Sequence, residues 1–521
     1  MSRVTRNVIY NGLGQGLSMI LGFVAVRLVF RRLGGDALGL IYFSLAFSAA
    51  LSMTVQLGIC ESAVREVAAH HRDRPEYIAR LIRTSSLFYW TSYLVLAIIA
   101  FTAAPYLVHH WVKLGSLDAL TATRIMRILS LGALLALPGG LYRALMAGLQ
   151  HLGVTNAVDV SGKALQQAGI FLILLMHGSL FHVAYWIVVS MAVPVAVYLI
   201  VCARYFPAQA LLLPGFSLEV VKENMGYASG LMTITLCGWA LQEADKVIVS
   251  KLLPLAVLGI YTFCRSAIGL GGFVTAAISG ALFPHFSSLH GAGKTGEMQR
   301  AYHKVQDLIC FGTIPMFAVA PFAAIPVFSR LFDMRSAHML LLPATFLCIA
   351  GYMNGALTTP YVYSLAVGRP DISARMASLA LLVVLPSSAL AIYFFRLSGA
   401  GFSAVVYQIF AYSYGAPRIS RECLGMPARV WHWHIFRIMI LAVGIYGSAW
   451  MVLVLLGSLS LLNLILAYGA ASLLYCAIAY RMIGEDLRQS IWGYYSKWFQ
   501  HEKYPADSRT GLEEGHLPGG S

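Results

Sequence analysis

An ionisable side chain placed inside a bilayer costs about 3 kcal/mol on insertion scales unless it faces water or a partner. The few that interrupt long apolar runs in this chain are therefore the residues most able to do chemistry. Arg27, Lys163 and Arg265 form the basic set; Asp159, Glu243 and Asp245 form the acidic set. Arginines lining a cavity grip an anionic group through charge-assisted, bidentate contacts, which makes Arg27 and Arg265 the leading candidates for ligand binding. Each also has a purely structural reading, as an ion pair of Arg27 with Asp245 or of Arg265 with Glu243. A pair between halves of the chain that breaks on opening satisfies both readings.

Lys163 follows Asp159 by four residues and shares its helical face. The two are either a local neutralising pair or a site where a proton or sodium ion couples to transport. Glu61 and Arg65 repeat that spacing at the end of the second apolar run, as a latch or a solvated pair. Gln166, Gln167 and Gln242 offer hydrogen bonds to a hydroxyl-bearing ligand, or to a neighbouring helix. The adjacent histidines at 70–71 and 109–110 point in different directions on a helix and have no cysteine or carboxylate cluster beside them. They do not make a catalytic or metal centre.

These groups need a frame, and composition decides its class. The 521 residues are 59% hydrophobic and 11% charged, with a mean hydropathy of +0.72. Such a chain is a polytopic, all-α membrane protein with no room for a large soluble domain. The Met1–Arg6 stretch and the apolar run after it lack a small-x-small cleavage site, so they read as an uncleaved first helix. The eight cysteines lie mostly inside apolar runs without metal-ligand spacing, and the sequence predicts neither a disulfide framework nor a bound metal or cofactor. A net charge of +15 would suggest nucleic acid for a soluble protein. Here the cations sit mainly in short loops and report topology instead.

Apolar segments fall at 8–30, 39–58, 84–105, 125–147, 157–177, 181–203, 225–243, 257–282, 306–328, 338–364, 373–395, 400–416, 433–456 and 459–480, which predicts fourteen helices. With the N-terminus cytoplasmic, roughly two thirds of the 37 Lys and Arg residues fall on the inner side, and both termini are expected there. The inner loops at 61–84 and 284–307 are basic and predicted helical. From 485 to 502, aromatic residues interleave with Arg488 and Lys497 as in an interfacial helix, and the polar, Gly- and Pro-bearing residues from Tyr504 onward are expected to be disordered.

A near-copy runs through the chain. Arg27 to Tyr42 and Asp245 to Tyr261 share one plan: a charge, an apolar run, a short break, then Leu38-Gly39 or Leu258-Gly259 before a tyrosine. Gly148 and Gly368 fall at nearly the same offset of about 220 residues, the mark of an internal duplication. Two six-helix lobes related by an axis along the membrane normal are expected, an N-lobe at 1–205 and a C-lobe at 206–417. The added helices at 418–483 and a cytoplasmic tail at 484–521 lie outside the duplication.

The loop at 31–39, Leu57-Gly58 with Arg65, and Ala147-Gly148-Leu149-Gln150 resemble the Wzx-type polysaccharide-transporter flippases of the multidrug/oligosaccharidyl-lipid/polysaccharide exporter superfamily. So do Asp245-Lys246 to Tyr261, Phe283-Pro284, and Gly368-Arg369-Pro370. The resemblance covers residues 1 to about 420. It implies a two-lobed transporter of the bacterial inner membrane, not an enzyme. Such a transporter flips an undecaprenyl-diphosphate-linked oligosaccharide by alternating access, driven by an ion gradient or the membrane potential. The anion for Arg27 and Arg265 would then be the diphosphate, with Lys163, Gln166 and Gln242 beside it, and Asp159, Asp245, Glu243, Glu61 and Arg65 in coupling or gating. A polysaccharide polymerase and a chain-length regulator are the protein partners that the resemblance implies, besides membrane lipids. Lipid II flippases are similar in helix number but carry cations around a Leu-Gly-Phe; here Leu21-Gly22-Phe23 has Met19, Ala25 and Val26 around it. The sugar-repeat flippase therefore ranks above the lipid II flippase, with a cation-coupled drug exporter as the further alternative.

Overall fold

Apolar runs in a bilayer must satisfy their own backbone, so they coil into helices. The computed structural model describes residues 3–55, 58–457, 459–490 and 492. The expected tail helix and the disordered end fall almost wholly outside these residues. The first half runs α1 (Arg3–Leu33), α2 (Gly35–Met53), α3 (Ile59–His70), α4 (Pro75–His110), α5 (Ala119–Leu134), α6 (Ala136–Gly148), α7 (Leu152–Leu175) and α8 (Leu180–Cys202). A linker with the short α9 (Ala208–Leu212) leads to α10 (Leu218–Leu252), α11 (Leu255–Gly269), α12 (Gly272–Gly291), α13 (Thr295–Gly312), α14 (Ile314–Phe317), α15 (Ala320–Leu331), α16 (Met334–Ala366) and α17 (Pro370–Phe410). After a π-turn come α18 (Ala416–Glu422), α19 (Ala428–Ala442), a second π-turn, α20 (Ser448–Leu455) and α21 (Leu461–Met482). Among the described residues, nine helical spans are long and apolar enough to cross a membrane, or up to eleven when two bent pairs are counted. The long α1 and α10 are not among them. The break predicted between the segments at 373–395 and 400–416 is present: Arg396 leaves the helical region (φ 53°, ψ −131°) and sharply kinks α17.

The ends of the helices repeat. Gly35 and Leu255 open equivalent helices, as do Pro75 and Thr295, again at an offset of about 220 residues. The two copies of the Leu-Gly motif pack on each other. A Cβ on Gly39 would lie 1.9 Å from the carbonyl oxygen of Leu255, and one on Gly259 would lie 2.7 Å from the backbone nitrogen of Gly39. Equivalent residues face to face are what a two-fold axis between the copies requires. Small residues permit this approach, because helices in lipid associate through close van der Waals packing.

Around this contact one apolar core takes residues from both halves, including Val29, Leu38 and Leu40 with Val249, Leu255, Leu258 and Phe328. Phe23 meets Phe263 edge-on, and Phe30 meets Phe332 likewise. The hairpin at 110–116 clamps the same end. Trp111 donates to Ser250 Oγ (2.9 Å), Lys113 Nζ to the Leu252 carbonyl (2.8 Å), Lys251 Nζ to the His110 carbonyl (2.6 Å), and the Leu255 amide to the Lys113 carbonyl (3.0 Å). Asp36, buried at the start of α2, holds that hairpin by accepting from the amides of Gly115 and Ser116 and from the Ser116 hydroxyl.

The opposite end is built differently. There the first half has its own core, with Val67, Ile78, Leu141 and Tyr142. The second half has another, with Phe286, Tyr302 and Tyr363. The linker and the first turn of α10 stay with the first half, where Arg80 pairs with Glu219, the Ser217 amide bonds Thr84 and Val220 joins the first-half core. Among the described residues, helices α19 to α21 pack on the second half, through Tyr352, Trp431, Tyr446 and Tyr475. The inner loops predicted to be helical are so: α3 carries the first into α4, and α12 and α13 flank the second.

Replacing Gly39 with valine drives a side chain into the Leu255 backbone. Overpacking of this kind costs about 1–3 kcal/mol, and Gly39→Val is expected to lower the thermal unfolding midpoint of the purified protein in detergent. An unchanged midpoint would contradict the close contact.

Candidate functional site

The turn between α10 and α11 is only two residues long, so the last turns of α10 lie against α11 and the buried Asp245 faces Tyr261 and Arg265. Asp245 Oδ2 accepts from the Tyr261 hydroxyl (2.5 Å) and from Arg265 Nη1 (2.7 Å), and Arg265 Nη2 donates to the Gln242 carbonyl (2.6 Å). One turn away, Lys246 Nζ donates to both oxygens of Glu243 at 2.8 Å. Both carboxylates and both cations are thus neutralised locally. Tyr261 was not singled out as a site residue in the sequence; its signal was its place at the end of the repeated motif.

The two pairs border a cavity of about 450 Å³, lined by α10, α11, α12, α14, α16 and α17. Asn354, Ser388, Ser403, Tyr407 and Gln408 add uncharged polar groups, and Gly269 and Gly272 line it where α11 and α12 are bent by 42°. All of its lining residues among those described belong to the second half. Arg265 was expected, like Arg27, to line a cavity and grip an anionic group; the structure places it in this chamber, paired with Asp245. The ion pair expected with Glu243 does not form, because Glu243 is held by Lys246 one turn along its own helix.

Arg27 lies one turn after Phe23 and one before Phe30, on the face of α1 whose rings meet the other half. It is exposed, and among the described residues it makes no hydrogen bond or ion pair; the expected bond to Asp245 is absent because Arg265 occupies that carboxylate. Asp159 does not pair with Lys163 either. Its partners are Arg143 (2.9 Å) on α6 and the Tyr198 hydroxyl (2.7 Å) on α8, which leaves Lys163 exposed with no such partner among the described residues. Lys163 shares a helical stripe with Gln167, which abuts Gly22 of α1. Gln166 contributes its backbone carbonyl to Trp186. Arg65 pairs with Glu66, next to it in sequence (2.6 Å), and Glu61 is exposed. The structure thus brings Gln242, Glu243, Asp245 and Arg265 together and leaves Arg27, Lys163, Asp159, Glu61 and Arg65 elsewhere.

Known proteins share this architecture. A family model described as Polysaccharide biosynthesis protein matches residues 4–290. A Shigella flexneri protein named "Putative O-antigen transporter" is 22% identical over 383 residues, which cover 71% of this chain and 87% of that protein. Among solved structures, the lipid II flippase MurJ in an inward closed conformation is similar with a TM-score of 0.71 at 13% identity, over 91% of this chain and 99% of that one. An inward-facing multidrug resistance MATE family transporter of the MOP superfamily gives 0.62 at 14% identity, over 77% and 94%. A MOP superfamily transporter from Pyrococcus furiosus, described as having a binding pocket of reverse polarity, gives 0.56 at 15%, over 80% and 95%. At these identities the shared property is the fold.

Removing one member of a buried ion pair strands the other, at about 3–5 kcal/mol. Asp245→Ala is therefore expected to destabilise the purified protein strongly in thermal unfolding, while Asp245→Ala with Arg265→Ala recovers at least half of the loss. A double variant as unstable as the single would contradict the pairing.

Proposed function

We propose a transport function from one established premise: the chain belongs to the polysaccharide biosynthesis protein family. It is a multi-pass membrane transporter of the flippase type. The finer reading is that it moves undecaprenyl-diphosphate-linked oligosaccharide repeat units across the bacterial inner membrane, with both termini cytoplasmic. The observation that carries it is the asymmetry between the two ends. The halves share a core and a hydrogen-bonded clamp at one end and keep separate cores at the other, the geometry of alternating access caught on one side.

In this reading a lipid-linked head group enters between the halves from the end with separate cores. The diphosphate needs cations that are not already spent, and Arg27 and Lys163 meet that condition. Arg265 does not, because Asp245 holds it. Opening the far end requires breaking the clamp around Lys113 and Trp111, and a ligand achieves this only by binding the opened state more tightly. Asp159, between Arg143 and Tyr198, is the candidate for coupling to a proton or sodium gradient. Glu61 and Arg65 sit at the end of the path that must close during the return step.

The fold match to the lipid II flippase extends over nearly the whole chain, which keeps lipid II as the second reading. The missing cations around Leu21-Gly22-Phe23 favour the sugar-repeat lipid. An exporter of cationic drugs would want unpaired acids along the path, and Glu243 and Asp245 are both paired.

A charge-assisted bond to a diphosphate is worth about 1.5–3 kcal/mol, or roughly 10- to 100-fold in affinity. In proteoliposomes, wild-type protein is expected to translocate a fluorescent lipid-linked oligosaccharide. Arg27→Ala with Lys163→Ala should reduce the rate at least tenfold, with the protein present in equal amount. Wild-type rates in that variant would remove the basic path, and absence of transport by the wild type would remove the function.

A further inference from the structure

The chamber beside Asp245 and Arg265 is polar, sits at a broken helix and belongs to one half of the molecule. Its charges leave little for an ion to bind. Asp245 Oδ2 accepts from Tyr261 and Arg265, its Oδ1 accepts from the Lys246 amide (2.9 Å), and both oxygens of Glu243 accept from Lys246. A metal ion would have to displace these donors, and an anion would find no unpaired cation among the described residues of the wall.

Uncharged groups are in the opposite state. Ser388 Oγ and Gln408 Oε1 are buried, with their residues 0% and 5% exposed, and neither has a hydrogen-bond partner among the described residues. Buried polar atoms are nearly always paired, and leaving one unpaired costs about 1–3 kcal/mol. The amide nitrogen of Gln408 reaches Asn354 Oδ1 only at 3.4 Å, and Asn354 is itself exposed. The wall therefore holds an unpaired hydroxyl and an unpaired carboxamide oxygen just beneath its surface, with Asn354 exposed beside them, and a ligand hydroxyl matches such groups because it both donates and accepts. Phe317 supplies an apolar ring on the same wall, wedged against Gly271 and Gly351 so closely that a Cβ on either would fall within 3 Å of it. The volume lies within the ~300–1,000 Å³ of small-molecule sites, which combine apolar walls with a few placed polar groups. The bend between α11 and α12 places the chamber where transporters use discontinuous helices to build their sites.

We propose that this chamber binds an uncharged, hydroxyl-bearing sugar residue of the lipid-linked substrate, apart from the cations that take the diphosphate. The inference rests on the transport reading above. Ser388 and Gln408 are the specificity-determining residues, and the ion pairs hold the wall in shape without contributing net charge.

The test uses the purified full chain in nanodiscs and measures equilibrium binding of farnesyl diphosphate against farnesyl diphosphate carrying one glucose, galactose or N-acetylglucosamine. At least one sugar-bearing probe is expected to bind about tenfold more tightly than the bare lipid, as one to two extra hydrogen bonds would give. Ser388→Ala with Gln408→Leu should abolish that preference, leave affinity for the bare lipid unchanged, and leave thermal stability equal or raised, because the groups removed are unpaired. A purely structural role would instead lower stability. Equal binding of bare and sugar-bearing probes by the wild type, a preference that survives in the variant, or a wild-type site that takes sodium ion and no sugar would overturn the proposal. Binding of neither lipid would overturn the transport reading, and this one with it.

Discussion

Two glycines set the distance at which the halves of this protein meet. With Gly39 and Gly259 back to back, α2 and α11 approach until the backbone of one touches the backbone of the other, and the shared core and the clamp at 110–116 close around that contact. Lipid offers no hydrophobic reason for helices to associate, so the closed end is held by packing and by the hydrogen bonds across it. At about 0.5–1.5 kcal/mol net for each bond, their sum is a few kcal/mol. That is a range in which differential binding of a ligand can exchange one state for another.

The distribution of charge follows the same logic. Ions buried within the second half are paired within it, Asp245 with Arg265 and Glu243 with Lys246, and the more exposed Asp159 pairs with Arg143 inside the first half. These pairs move as part of a rigid body and need not break when the halves separate. The exposed Arg27, beside the rings that join the halves, is free to change partner during the cycle. A chamber neutral in sum and a path with unspent cations suit a ligand that carries charge at one point and hydroxyls at another.

Much of the fold was legible in the sequence because a duplication leaves two records. The motif at 38–42 and its copy at 258–261 announced the repeat, and the structure added that its halves meet on that motif. The sharp break within α17 was anticipated to within a few residues, since Gly399 and Gly401 follow Arg396 and a Cβ on Gly399 would overlap the Ala391 carbonyl. Pairing was harder to read. Spacing of i and i+4 suggested Asp159 with Lys163 and Glu61 with Arg65, yet Asp159 turned to Arg143 and Tyr198 on other helices, and Arg65 to Glu66. Local spacing states which partners are possible, and tertiary packing chooses among them. Ser388, Asn354 and Gln408 carried no signal, since lone uncharged polar residues are common in membrane helices and become informative only when their burial and missing partners are seen.

Spin labels read the central claim, that the closed end opens while the other closes. Leu120 and Met334, both exposed near the closed end, can be labelled as one pair, and Asp73 and Ala292, exposed at the other, as a second. Pulsed dipolar distances measured with and without a lipid-linked oligosaccharide should shift in opposite directions, the 120–334 pair lengthening as the 73–292 pair shortens. A single unchanged distance at both ends, in a sample that transports the lipid, would contradict the account.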